Sequence, residues 1–127
     1  MESFIINLAG FGFPDQYLDV PCVSSLEILK KGDVWRRKTE EKYKENIAIL
    51  SITTTYEDGF GSVIDKIIGI IKNDGCLFEM FSSCGYLELQ IVVSMGDNYR
   101  IPHIHISKNQ MRFLLSMDAD IDIQISA

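Results

Sequence analysis

The sequence predicts an α+β domain: a mostly antiparallel sheet with two helices on one face, arranged as a ferredoxin-like βαββαβ core preceded by two extra strands. Three observations carry this expectation. An isoleucine-rich stripe recurs at helical spacing from Phe60 to Lys72. Strict period-two alternation marks Tyr86 to Met95 and again the closing DADIDIQIS. Between them Ser107-Lys108-Asn109-Gln110 is a capping box that opens a helix. With 127 residues, 46% of them hydrophobic, and only nine glycines and three prolines, residues 1–127 read as one domain with a core of its own.

Taken in order, residues 3 to 9 read as a strand with Phe4, Ile6 and Leu8 on one face. GFGFPDQYLDVPCVSS follows as an ordered loop with one helical turn. LEILKK is a second extended segment that stops at Lys31-Gly32-Asp33, and the charged stretch after it reads as a solvated hairpin or short helix. NIAILSITT is apolar on both faces for four residues, as a central strand should be. In the Phe60–Lys72 helix, Phe60, Val63, Ile64, Ile67, Ile68 and Ile71 form the buried stripe, Ser62 and Asp65 suit an N-terminal cap, and Gly75 lies where the chain leaves the helix.

Leu87, Leu89, Ile91, Val93 and Met95 then point one way, with Glu88, Gln90 and Ser94 opposite. Gly96-Asp97-Asn98 turns the chain into IPHIHI, predicting an antiparallel hairpin. The second helix carries Met111, Leu114 and Leu115 on one face with Phe113 and Met117 alongside, and the last strand alternates Ile121, Ile123 and Ile125 with Asp120, Asp122 and Gln124. Two right-handed crossovers then place NIAILSITT between the IPHIHI strand and the last strand.

The formal net charge is -6 and it is uneven: residues 1–29 hold four acids and no base, residues 30–45 seven bases against four acids, and residues 46–127 ten acids against five bases. Such a balance argues against direct nucleic-acid binding, which needs a basic footprint. The amino terminus lacks the positive region of a signal peptide, and no run approaches a membrane span. Three cysteines, Cys22, Cys76 and Cys84, with no Cys-x-x-Cys pair, suit a reducing cytoplasm and read as buried structural thiols.

The amino-terminal strand, the Lys30-Lys31-Gly32-Asp33 turn, the apolar strand after it and the ending HISKNQMRFLLSMDADIDIQI together resemble the bacterial domain of unknown function 4279 family. One departure is that Gly12, Pro14 and Pro21 leave little room for the helix that often follows the first strand in that family. The resemblance carries no catalytic residue. It implies an association with polymorphic toxin systems, in which a small acidic cytoplasmic immunity protein binds and blocks a toxin domain.

The one constellation with chemical promise is His103 and His105 with Asp118, Asp120 and Asp122, since imidazole and carboxylate suit zinc or iron. Alternation places the histidines and aspartates on the polar sheet face with Ser51 and Thr53, but on strands two spacings apart, roughly 10 Å, too far to share a metal. Gly59-Phe60-Gly61 lacks the lysine and glycine pattern of a phosphate loop and reads as a turn. No nucleophile motif appears. The expectation is therefore a non-enzymatic binding protein with no cofactor or metal, an immunity protein that neutralises a toxin such as a basic nuclease; the contrasting reading is a metal-binding or hydrolytic enzyme using the histidine and aspartate face. Partner contacts are expected at Asp15, Asp19, Trp35, Glu57, Asp58, Tyr99, Asp120 and Asp122, acids and aromatics in polar surroundings, with Tyr17, Tyr43 and Tyr56 of the same type. A homodimer through an exposed sheet edge is a further expectation.

Overall fold

A computed structural model describes residues 3–19, 26–36, 41–55, 59–94 and 103–126. Strands β1 (Ser3–Phe11), β2 (Leu26–Leu29), β5 (Ile47–Thr55), β6 (Tyr86–Ser94) and β7 (Ala119–Ser126) form a five-stranded sheet in the order β2-β5-β1-β6-β7. β3 (Val34–Arg36) and β4 (Glu41–Lys42) make a small separate antiparallel pair in the charged stretch, the hairpin of the two expected forms. Helices α1 (Phe60–Asn73), α2 (Gly75–Ser82) and α3 (Lys108–Ser116) complete the domain. No helix among the described residues is long and apolar enough to cross a membrane.

The α+β class holds, but the layout differs from the predicted one. β1, expected as an added strand, is the middle of the sheet, antiparallel to β5 on one side and β6 on the other through all nine of its residues. β5 and β6 consequently run parallel to each other with β1 inserted between them. β5 is an inner strand flanked by β2 and β1; an apolar run on both faces marks burial within a sheet and does not choose among its inner positions. β7 lies at the edge, parallel to β6, so the sheet is mixed. Of the expected IPHIHI strand, the described residues 103–106 hold no strand and lead through Ser107 into α3, while its first two residues and the turn before it lie outside the described residues.

The covered face holds the core. Phe4, Ile6, Leu8, Ala48, Leu50, Leu87, Leu89, Ile91 and Val93 pack under the predicted α1 stripe, every member of which is buried, and Phe4 meets the Phe60 ring at 5.6 Å. The α1 cap is not the expected one: Gly59 at φ 80° is the N-cap without a side-chain bond, and Ser62 Oγ donates to the Gly59 carbonyl. Asp74 breaks the helix with an extended backbone and accepts from Cys76 N and Leu77 N, both at 3.1 Å, so it caps a second helix where an exit was expected. α2 buries Leu77, Met80 and Phe81.

The capping box at α3 forms as predicted, with Ser107 accepting from Gln110 N and Gln110 Oε1 accepting from Ser107 N. Gln110 is buried, and its amide is satisfied there by donating to Gly61 O at 3.0 Å and Asp65 Oδ1 at 2.9 Å, tying α3 to the first two turns of α1. Leu114 and Met117 enter the core, whereas Met111 and Leu115 face outward, 47% and 77% exposed. Asp118 turns the chain at φ 56°, a left-handed conformation that aspartate tolerates, and delivers it into β7.

Candidate functional site

The helices pack on one face of the sheet; among the described residues no helix covers the other, whose side chains range from buried Ala9 through half-buried Asn7 and Gln90 to exposed Glu27 and Asp120. Cα register places Glu27, Ile49, Ala9, Glu88 and Asp120 in one row across all five strands, a span of four strand spacings or roughly 19 Å. The next row runs Ser51, Asn7, Gln90, Asp122, and on the other side Leu29, Ile47, Phe11 and Tyr86 form an apolar row. Period-two alternation aims every one of these side chains away from the core.

Side-chain bonds hold the middle of this face in place. Ser51 Oγ donates to Asn7 Oδ1 at 2.6 Å and Asn7 Nδ2 donates to Gln90 Oε1 at 3.3 Å, so the polar groups of three strands are joined in one chain. At the β7 end Gln124 Nε2 donates to Asp122 Oδ2 at 2.9 Å. The Phe11 and Tyr86 rings lie 5.9 Å apart and Tyr86 is 43% exposed. Its hydroxyl donates to Glu88; that bond first, then desolvation and the negative charges of Glu88 and Asp120, hold the phenol protonated well above its ordinary range. The result is an aromatic and apolar strip bordered by four carboxylates, Glu27, Glu88, Asp120 and Asp122.

Of the residues expected to contact a partner, Asp120 and Asp122 lie on this face as predicted, beside the rows of Ser51 and Thr53. Asp15 and Asp19 are exposed on the loop after β1, but Asp15 accepts from the buried Asn46 and so helps to hold that loop. Trp35 lies on β3, in the separate pair. Glu57, Asp58 and Tyr99, with Tyr56, lie outside the described residues, as do Cys22 and the Gly96-Asp97-Asn98 turn. Tyr17 is half-buried against the core.

His103 and His105 are not on the sheet. They are exposed in the segment before α3, their rings 6.1 Å apart edge to face, so they do not share the aspartates' strand face. Among the described residues, no three histidine, cysteine, aspartate or glutamate side chains gather in a group that could hold a metal ion. Cys76 is exposed at the start of α2, contrary to the expectation of burial; Cys84 is half-buried, its Sγ 3.4 Å from the Met80 carbonyl.

Sequence reasoning missed Phe11, Tyr86, Glu88 and the Asn7 network. The signal was present: Asn7 and Phe11 have the parity opposite to Phe4, Ile6 and Leu8, and Tyr86 shares that of Glu88 and Gln90. A family model described as Domain of unknown function (DUF4279) matches residues 23–127. No curated protein and no solved structure matches the chain.

Proposed function

The chain belongs to the DUF4279 family of domains of unknown function, and from that premise we propose that it is a non-enzymatic binding protein: an immunity protein that occludes a bacterial toxin domain in the cytoplasm. The observation that carries this reading is the sheet face opposite the helices, where Phe11 and Tyr86 are bordered by Glu27, Glu88, Asp120 and Asp122. An aromatic strip inside an acidic border is suited to a cationic protein surface: the rings supply buried contact, and the carboxylates supply steering and rejection of acidic partners. A basic nuclease toxin offers such a surface. The net charge of -6 disfavours direct contact with nucleic acid and favours contact with a protein that binds it.

The test is to co-express the protein with the toxin domain encoded beside it, score growth rescue, and measure association and dissociation rates from low to high salt. Association should slow by about tenfold or more as salt screens the attraction, while dissociation changes less. The charge-reversed pair Asp120→Lys with Asp122→Lys should slow association at low salt and leave it near wild type at high salt. The absence of any neighbouring toxin, or an association rate that ignores both salt and the reversal, would remove this reading.

A further inference from the structure

We propose that two copies of this chain join edge to edge through β7, antiparallel about a two-fold axis at Ile123, into one sheet continuous across both copies. The two edges of the sheet are treated very differently. β2 is four residues long and is followed at once by Lys30 and Lys31, both exposed, which discourages a strand from adding there. β7 has eight residues, no lysine, arginine or proline, and pairs with β6 without a register shift. Among the described residues no strand pairs with its outer edge, so its outward backbone donors and acceptors face no neighbouring strand there.

The side chains along β7 are equally unfinished. Ile121, Ile123 and Ile125 stand in register with Leu89, Ile91 and Val93, which are at most 0% exposed, yet they are themselves 40%, 46% and 49% exposed because the helix layer stops short of the edge. Met111 and Leu115, one helical turn apart on neighbouring α3, add 47% and 77% exposed side chains on the same side of the sheet. β7 and the helix packed against it thus both carry exposed large apolar side chains at this end of the sheet, of the kind that mark an interaction site.

The alternating pattern of β7 lets the strand pair with its own copy, apolar against apolar, and local charge chooses the register. The pleat requires an axis perpendicular to the sheet to lie midway between a residue and its own copy, because paired residues share a face. An axis at Ile121 sets Asp120 against the other copy's Asp122 twice, and an axis at Asp122 sets that carboxylate against itself; both oppose like charges. An axis at Ile123 pairs Asp122 with Gln124, Asp120 with Ser126, Ile121 with Ile125 and Ile123 with its own copy. It pairs nearly the whole strand with no carboxylate facing another, and it keeps both helix layers on one side, so the exposed apolar side chains of both copies lie on that side.

The experiment is sedimentation of the full chain across the micromolar range at low and high salt. A concentration-dependent dimer is expected, and it should tighten with salt because each copy carries -6. That dependence is opposite in sign to the one expected for toxin binding, so failure of either proposal is distinguishable from failure of the other. Ile123→Lys, which sets two ammonium groups together on the axis, should weaken the dimer about 100-fold, and Ile123→Val should keep it. As a second measurement, Ile123→Cys and Ile121→Cys are compared in a Cys76→Ser background with a short bis-maleimide: position 123 should cross-link at least about tenfold faster, since only it faces its own copy. A monomer at every concentration and salt, a dimer unchanged by Ile123→Lys, or equal cross-linking at 121 and 123 would overturn the proposal.

Discussion

Asn46→Ala tests how the loop that follows the central strand is held. Asn46 is 4% exposed, and its side chain joins three segments: Nδ2 donates to the Phe13 carbonyl at 3.0 Å and to Asp15 Oδ1 at 2.8 Å, while Oδ1 accepts from Lys31 N at 2.8 Å. Alanine removes all three bonds. Water can replace the asparagine at exposed Asp15 and Lys31 but not at the carbonyl of buried Phe13, so with about 1 kcal/mol per bond the expected loss is about 2–3 kcal/mol. Urea melts should show a lower midpoint at unchanged slope. Asn46→Asp sharpens the test, because it keeps the acceptor for Lys31 N and turns the donor end into an oxygen facing Asp15 and the Phe13 carbonyl. Burial beside a carboxylate raises the pKa of the new group above its unfolded value, so protonation favours the folded state. The aspartate variant should therefore be the less stable of the two at neutral pH, and its deficit should shrink as pH falls from its folded pKa toward the unfolded value near ~3.9. A loss below about 0.5 kcal/mol for alanine, or a deficit for aspartate that acidification leaves unchanged, would refute the assignment of Asn46 as the clamp.

Two further outcomes follow from the packing at the end of β1. A Cβ at Gly10 would stand 2.6 Å from Cys84 Sγ and 3.0 Å from Phe81 Cδ1, so Gly10→Ala should cost about 1–3 kcal/mol in urea melts, and adding Cys84→Ala should recover part of it; strictly additive effects would contradict the contact. Burial, with Glu45 second, pushes the Cys84 thiol up to about 11. In a Cys22→Ser background, iodoacetamide at neutral pH should therefore label exposed Cys76 at least about 100-fold faster than Cys84, as read by peptide mass spectrometry, and equal rates would contradict this.

Local structure was legible in the sequence because local structure has local causes. The α1 stripe, the α3 capping box and the alternation in β6 and β7 each depend on side chains a few residues apart, and each formed where the pattern placed it. α2 was missed because Gly75 reads as an exit, although Asp74 beside it can end one helix with its backbone and cap the next with its carboxylate. Strand order was not legible. β1 reaches β5 and β6 across long loops, and nothing near Ser3–Phe11 records that both partners lie on either side of it. The acidic side of the candidate face was readable from Asp120 and Asp122. Parity also put Phe11 and Tyr86 on the faces away from the core, but not side by side, since they meet only because β1 and β6 are neighbours.

The same distinction explains the isoleucines of β7. Alternation determines that Ile121, Ile123 and Ile125 share a face, and register with Leu89, Ile91 and Val93 determines that it is the core face. Whether a helix lies over them is a property of the strand's place in the sheet. At an inner position those side chains would be buried as completely as their β6 partners; at the edge they remain 40–49% exposed and the pattern that reads as core becomes surface. An alternating acidic and apolar strand is thus equally suited to a half-buried inner place and to an edge that takes another strand. The place of β7 in the strand order decides between them: it has β6 on one side and, among the described residues, no strand on the other.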